Sequence, residues 1–325
     1  MPTIIPPSTA TVENMLGHSW LADDQKVAFA TSPFVPNAAS VSDYLSPWLI
    51  TNGYTSASFG SGLYIQDAQI TACLMNQAFE FLERALCNTI AHYILAQNGL
   101  ETWARVTNYY ASYFSVHSLL CLQGRTITSL HLNSAVQVQI VPVDLRTHVF
   151  GITKRHLGKN PHHQTPWLRF YEIYDRYAVS HQAYELVARK AYTAEPTDEA
   201  TERNAINYTP FKGFREIREL ARHAEFLEVF ASYISNLETK NTLIEFLADL
   251  QGFASDADHK YFARVLLKLA LVGNILLFIR AVNAAIEAEW QAMRQRWQDF
   301  LTIVFPDPTK CYLLKFVPLI GSDLS

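Results

Sequence analysis

Residues 103–124 read WARVTNYYASYFSVHSLLCLQG, and this stretch decides the fold class. Val106, Tyr110, Tyr113, Phe114, His117, Leu120 and Cys121 recur at spacings of three and four, which puts them on one broad apolar face of a helix. Asn108, Ser112 and Ser115 fall largely off that face. At 3.6 residues per turn the helix makes about six turns. Gly124 stops it, because glycine takes the left-handed conformation at no steric cost. Small Ala111 and Ser112 among four aromatics leave room for a neighbouring helix to come close.

A second helix precedes it, at about residues 67–97. Asp67 is its N-cap, and Ile70, Cys73, Leu74, Ala78, Phe81, Leu82, Ala85 and Ile90 form its apolar stripe. The Asn98-Gly99 turn between the two is so short that they must form an antiparallel hairpin. Downstream the period changes. Residues 126–132 and 135–143 alternate polar and apolar side chains, and 146–152 extends the pattern; AVQVQIV is a strand by its period of two and its β-branched content. Helices resume at 166–193, where Thr165-Pro166 is a capping pair, and at 214–236, 242–252 and about 256–304, with a break expected near Gly273. Acidic 195–202 reads as a loop or a helix start, and the C-terminal CYLLKFVPLIG as a strand or a docked apolar tail. Residues 1–66, rich in Pro, Ser, Thr and Asn, read as an irregular arm with at most short strands. The expected architecture is mainly α: a helical bundle over 67–325 with a small inserted β-hairpin or sheet at about 125–153, preceded by the irregular N-terminal arm.

Composition narrows the function. Apolar residues make up 49% of the 325 and charged ones only 17%, which calls for extensive burial and favours self-association. A net charge of −4 argues against a strongly basic nucleic-acid binder while leaving room for a local basic patch. Cys73, Cys87, Cys121 and Cys311 are scattered without metal-knuckle spacing, which fits a reduced, cytoplasmic setting. No signal-peptide pattern opens the chain. The most membrane-like run, 265–279, is interrupted by Lys268 and Asn274 and falls short of the roughly 20 residues a span needs. It reads as a buried helix, and no membrane is expected. FGSG at 59–62 lacks the ending of a phosphate loop, no nucleophile elbow occurs, and no cofactor motif or metal site is expected.

Tyr109-Tyr110-Ala111, followed by Phe114, His117, Leu119-Leu120 and Gly124, with His131 beyond, resembles the signature helix of HEPN proteins, the higher-eukaryote and prokaryote nucleotide-binding family. Arg203-Asn204-Ala205-Ile206-Asn207-Tyr208 is similar to the later motif of that family, in which an Arg and a polar residue precede a His or Tyr. Residues 222–227, RHAEFL, are similar to the helix that follows it. The resemblance implies a bundle that forms homodimers, binds RNA or nucleotide, and in many members cleaves RNA without metal. It also implies a place in toxin–antitoxin or antiviral defence, with a protein partner encoded nearby.

The implied ribonuclease chemistry asks for an Arg against the phosphorane charge and a His as general acid or base. Arg203 has its polar follower Asn204, but Tyr208 stands where a His would serve, and a Tyr pKa of about 10 makes a poor base at neutral pH. Arg125/His131, Arg176/His181 and Arg218/His223 have suitable separations, although about one or two such pairs arise by chance at this composition. Arg218/His223 lies closest to the family-like segment; the two side chains fall about 140° apart on an ideal helix. The catalytic candidates are therefore Arg203, Asn204, Tyr208, Arg218 and His223. A basic run of Lys154, Arg155, His156, Lys159, His162 and His163 supplies the candidate RNA- or phosphate-binding loop. The missing His beside Arg203 favours binding over catalysis, and a metal-independent ribonuclease and a non-catalytic structural or regulatory subunit are the competing readings.

Overall fold

The computed structural model describes residues 2–4, 23–60, 62–154, 165–171, 173, 198–208, 220–253, 260–307 and 311–320. The fold is mainly helical with one small antiparallel sheet, as the sequence pattern requires. Two compact units divide the chain. The first comprises Met1–Phe81, His117–Ile173 and Phe278–Glu287; the second comprises Leu82–Val116, Tyr174–Leu277 and Ala288–Ser325.

The first unit is built on the sheet. Its strands are β1 (Thr3–Ile4), β2 (Leu63–Gln66), β3 (Thr126–His131), β4 (Ala135–Asp144) and β5 (Val149–Lys154), in the order β1-β2-β5-β4-β3 with antiparallel pairs. The β3–β4 hairpin and β5 are the expected insertion. The sheet is larger than that insertion, because β1 and β2 come from the N-terminal 66 residues. Val136, Val138 and Ile140 are buried along β4 while Gln137 and Gln139 are half-buried, the alternation that AVQVQIV predicts. Pro142 cannot donate to a ladder, and the β4–β5 register shifts between Pro142 and Asp144.

The N-terminal region is also more regular than its composition suggests. It holds α1 (Asp23–Ala30), α2 (Val41–Thr51) and a short turn of 3-10 helix at Ser56–Phe59. Long-range hydrogen bonds, which no local propensity reveals, hold these pieces. The Gln25 side chain accepts from the Leu145 amide and donates to Asp144 at 3.0 Å. Ser42 and Ser46, one turn apart on α2, bond the Ser129 carbonyl and the His131 amide of β3. That contact covers an edge strand that would otherwise present unpaired backbone.

Two long helices, α3 (Ala68–Gln97) and α4 (Glu101–Cys121), form the hairpin expected from sequence. Asp67 caps α3 by accepting from the Gln69 amide at 2.9 Å. Gly99 takes φ 74°, and Leu100 donates back to Leu95, which closes α3 in the left-handed turn. Ser118 donates to the Ala78 carbonyl and His92 bonds the Ala104 carbonyl, so the paired positions run antiparallel. Gly124, with φ 68°, follows the end of α4; a Cβ there would meet Pro142 at 3.4 Å. The polar positions of α4 depart from expectation. Asn108, Ser112 and Ser115 are buried, because α4 is enclosed on more than the one face its apolar stripe marks.

Among the described residues, 165–171 are helical, and further helices are α5 (Asp198–Tyr208), α6 (Leu220–Glu238), α7 (Leu243–Phe253), α8 (Lys260–Val282), α9 (Ala284–Val304) and α10 (Leu313–Leu319). The acidic 195–202 segment thus resolves into a helix start from Asp198, and the C-terminal apolar run is a helix rather than a strand. Thr242 and Glu245 cap α7 reciprocally: each amide donates to the other's side chain. The predicted break near Gly273 is absent. The helix continues through it to Val282 and breaks at Asn283 instead, whose side chain accepts from Ile286 and donates at 3.0 Å to the carbonyls of Ala30 and Ser32. Asn283→Ala removes a cap and two tethers together. The expected loss is about 1–2 kcal/mol in urea unfolding.

Helix α8 is long and apolar enough to cross a membrane by length and composition, and 67% of its most apolar window is buried within the molecule. All four cysteines are free. Burial pushes the thiols of Cys73 and Cys121 up to about 12, which leaves them inert as nucleophiles.

Candidate functional site

Within the second unit, α3, α4, α5, α6 and α8 wall a cavity of about 240 Å3. Its lining joins the two segments that sequence singled out. Arg203 of α5 donates to the Tyr110 hydroxyl of α4 at 2.9 Å, and its guanidinium lies 5.8 Å and 5.7 Å from the ring centroids of Tyr109 and Tyr110. A second donor of Arg203 reaches Asn204 at 3.0 Å. The planar guanidinium is thus fixed by stacking and by directed hydrogen bonds.

Phe226 and Phe230 of α6 and Tyr261 and Phe262 of α8 supply further aromatic wall. Glu101, Glu199, Glu202 and Glu225 line the cavity against two guanidinium groups, Arg105 and Arg203. Arg105 bridges helices, with Glu101 of α4 at 2.7 Å and Glu202 of α5 at 3.4 Å. The balance of formal charge on the lining is therefore negative.

Beside the cavity sits a buried ion pair. Lys268, fully enclosed at 0% exposure, donates to Glu199 at 2.6 Å and to Ser112 at 2.7 Å. Desolvation lowers the Lys268 pKa, while the Glu199 carboxylate works against that shift. Lys268 breaks an apolar run in the sequence, and that interruption was the available signal: a lysine in so apolar a helix needs an acid. The partner came from α5, distant in sequence, so the pair itself was not legible.

The buried polar atoms on the lining include three with no hydrogen-bond partner among the described residues. These three are His92 Nε2, Asn108 Oδ1 and Glu199 Oε2. Leaving such a group unsatisfied costs about 1–3 kcal/mol. His92 Nδ1 lies 2.7 Å from the Ala104 carbonyl, an acceptor, so Nδ1 carries the proton and Nε2 presents a lone pair. The ring packs against Phe262 at 4.4 Å between centroids. Burial first, then the charge of Arg105, pulls its pKa down to about 4 against the opposing effect of the Ala104 carbonyl, so the imidazole is neutral at pH 7. No family model, curated protein or solved structure matches the chain. The site is therefore read from its own chemistry.

The sequence candidates meet different fates. Arg203 enters the cavity wall, and its neighbour Asn204 is exposed. Tyr208 is the last residue of α5 and His223 lies in the first turn of α6, with side chains outside the described residues, and Arg218 lies wholly outside them. Of the basic loop, Lys154 ends β5 and is exposed; Arg155, His156, Lys159, His162 and His163 lie outside the described residues. Arg176/His181 lie outside as well. Arg125 precedes β3 and His131 ends it, six residues apart, and a strand rise of about 3.3 Å per residue separates them by roughly 20 Å. They do not form one site. His117 packs against Phe81 with 4.9 Å between ring centroids, as a core histidine does. Sequence reasoning missed His92, Asn108, Glu101, Arg105, Glu199 and Glu202, none of which forms a short motif.

Proposed function

We propose that this chain is an RNA- or nucleotide-binding protein of HEPN-like type, and that it binds without cleaving. The observation that carries this reading is the meeting of Arg203 with Tyr109 and Tyr110. Two segments 93 residues apart, each chosen for family resemblance, share one hydrogen bond and one stacked cluster. They do so at the wall of a cavity whose aromatic lining suits a stacked base. At about 240 Å3 the cavity is smaller than the roughly 300–1,000 Å3 typical of drug-sized ligands, a size for one ring system. The negative lining favours the neutral base inside and leaves the phosphate at the mouth.

Binding is preferred over cleavage because of His92. It is the histidine that lines this cavity among the described residues, and a pKa near 4 makes it a weak base and an unprotonated acid at pH 7. Arg203→Ala should weaken affinity for labelled single-stranded RNA by about tenfold or more, with Arg203→Lys intermediate because it keeps charge but not the planar stack. Titration by fluorescence anisotropy in EDTA, with circular dichroism as the folding control, measures this. Unchanged affinity in a folded Arg203→Ala protein removes the cavity from RNA binding.

A further inference from the structure

Resting on the nucleotide-binding reading, we infer that the cavity selects a base with a donor-rich edge, a guanine, through His92 Nε2, Asn108 Oδ1 and Glu199 Oε2. Each of these atoms belongs to a cavity-lining residue at least nine-tenths buried and has no hydrogen-bond partner among the described residues. All three are acceptors. His92 is committed to that role because its other nitrogen donates to Ala104. Glu199 is committed because its first oxygen is taken by Lys268, while the second has no hydrogen-bond partner among the described residues.

A ligand that satisfies three acceptors must bring several N–H groups on one edge. Guanine carries a ring N–H beside an exocyclic NH2, three such hydrogens on adjacent atoms, and its O6 is an acceptor suited to a guanidinium. Adenine and cytosine each pair one amino group with a ring acceptor, and uracil has one ring N–H between two carbonyls, so each brings fewer N–H hydrogens than the three acceptor atoms can take. That mismatch is the source of selectivity, since a site built to hydrogen-bond a group rejects the analogue lacking it. The base belongs either to a free nucleotide or to single-stranded RNA, and the recognition chemistry is the same.

The test is calorimetric titration of the full chain with GMP, AMP, CMP, UMP and IMP. GMP should bind at least about tenfold more tightly than the other three standard nucleotides, and IMP, which lacks the 2-amino group, should lose about tenfold. Asn108→Leu should weaken GMP about tenfold while its melting temperature stays at or above that of the wild type, because it replaces an unsatisfied buried amide by an apolar side chain. A guanosine-containing RNA tetramer binding more tightly than GMP identifies RNA as the source; equal affinity identifies the free nucleotide, and both outcomes uphold the inference. Equal affinity for all four nucleotides overturns the guanine selectivity and leaves nucleotide binding intact. Absence of binding to any nucleotide or tetramer overturns both. Spermidine displacing GMP at lower concentration overturns the base reading in favour of an organic-cation site.

Discussion

Lys268→Met is expected to destabilise the protein by about 3–5 kcal/mol, because it strands a buried carboxylate. Glu199 is 5% exposed, and its charge is balanced at 2.6 Å by an ammonium that is itself completely enclosed. Removing the ammonium leaves the buried Glu199 side chain without its Lys268 partner. Ser112 loses its donor in the same step. The double variant Lys268→Met/Glu199→Gln should recover most of the loss, since replacing both members of a buried pair is often neutral or stabilising. Urea unfolding of wild type, both singles and the double forms a complete cycle. Additive single effects would show that the two side chains do not depend on each other. The pair stands beside the cavity, so the same cycle reports on how the site is held.

A second large effect follows from His92. Its folded pKa is about 4 against an ordinary value near 6.5. Between those values the unfolded chain binds a proton that the folded one refuses, so stability falls as pH drops from about 6.5 to about 4 and levels off below. Integrated over that window the loss approaches about 3 kcal/mol. His92→Phe keeps the aromatic packing against Phe230 and Phe262 and gives up the bond to Ala104. It should therefore be less stable than wild type at pH 7, yet lose less on acidification, by about 2–3 kcal/mol between pH 7 and pH 4.5. Carboxylate titration is common to both proteins and cancels in the comparison. Parallel pH profiles for the two would mean that His92 titrates normally in the folded state.

The two periodicities carried much of the architecture. The 3.6-residue stripes of α3 and α4 and the two-residue alternation of β4 gave their elements, and Asn98-Gly99 gave the hairpin between the helices. Features fixed by distant partners were not legible. The N-terminal helices depend on contacts such as Gln25 with Leu145, and the α8–α9 break depends on Asn283 reaching Ala30 and Ser32. Gly273 drew attention as a breaker, yet a single glycine costs a buried helix only about 1 kcal/mol, which packing readily offsets.

The site divides in the same way. Arg203 was found because it sits in a motif, whereas His92, Asn108 and Glu199 lie on three helices and only the fold brings their polar atoms to one cavity. Asn108 and Ser112 fall off the apolar stripe yet are buried, because helical periodicity marks the greasiest face. It does not say how many faces are covered.

The most direct test of RNA or nucleotide binding without cleavage is one gel. Labelled single-stranded RNA and tRNA are incubated with the wild type and with Arg203→Ala, with and without EDTA, and retention and cleavage are read together. The account predicts retention of intact RNA by the wild type in both conditions and weakened retention by Arg203→Ala. Cleavage by the wild type in EDTA that Arg203→Ala abolishes would contradict it and make the cavity a nuclease centre.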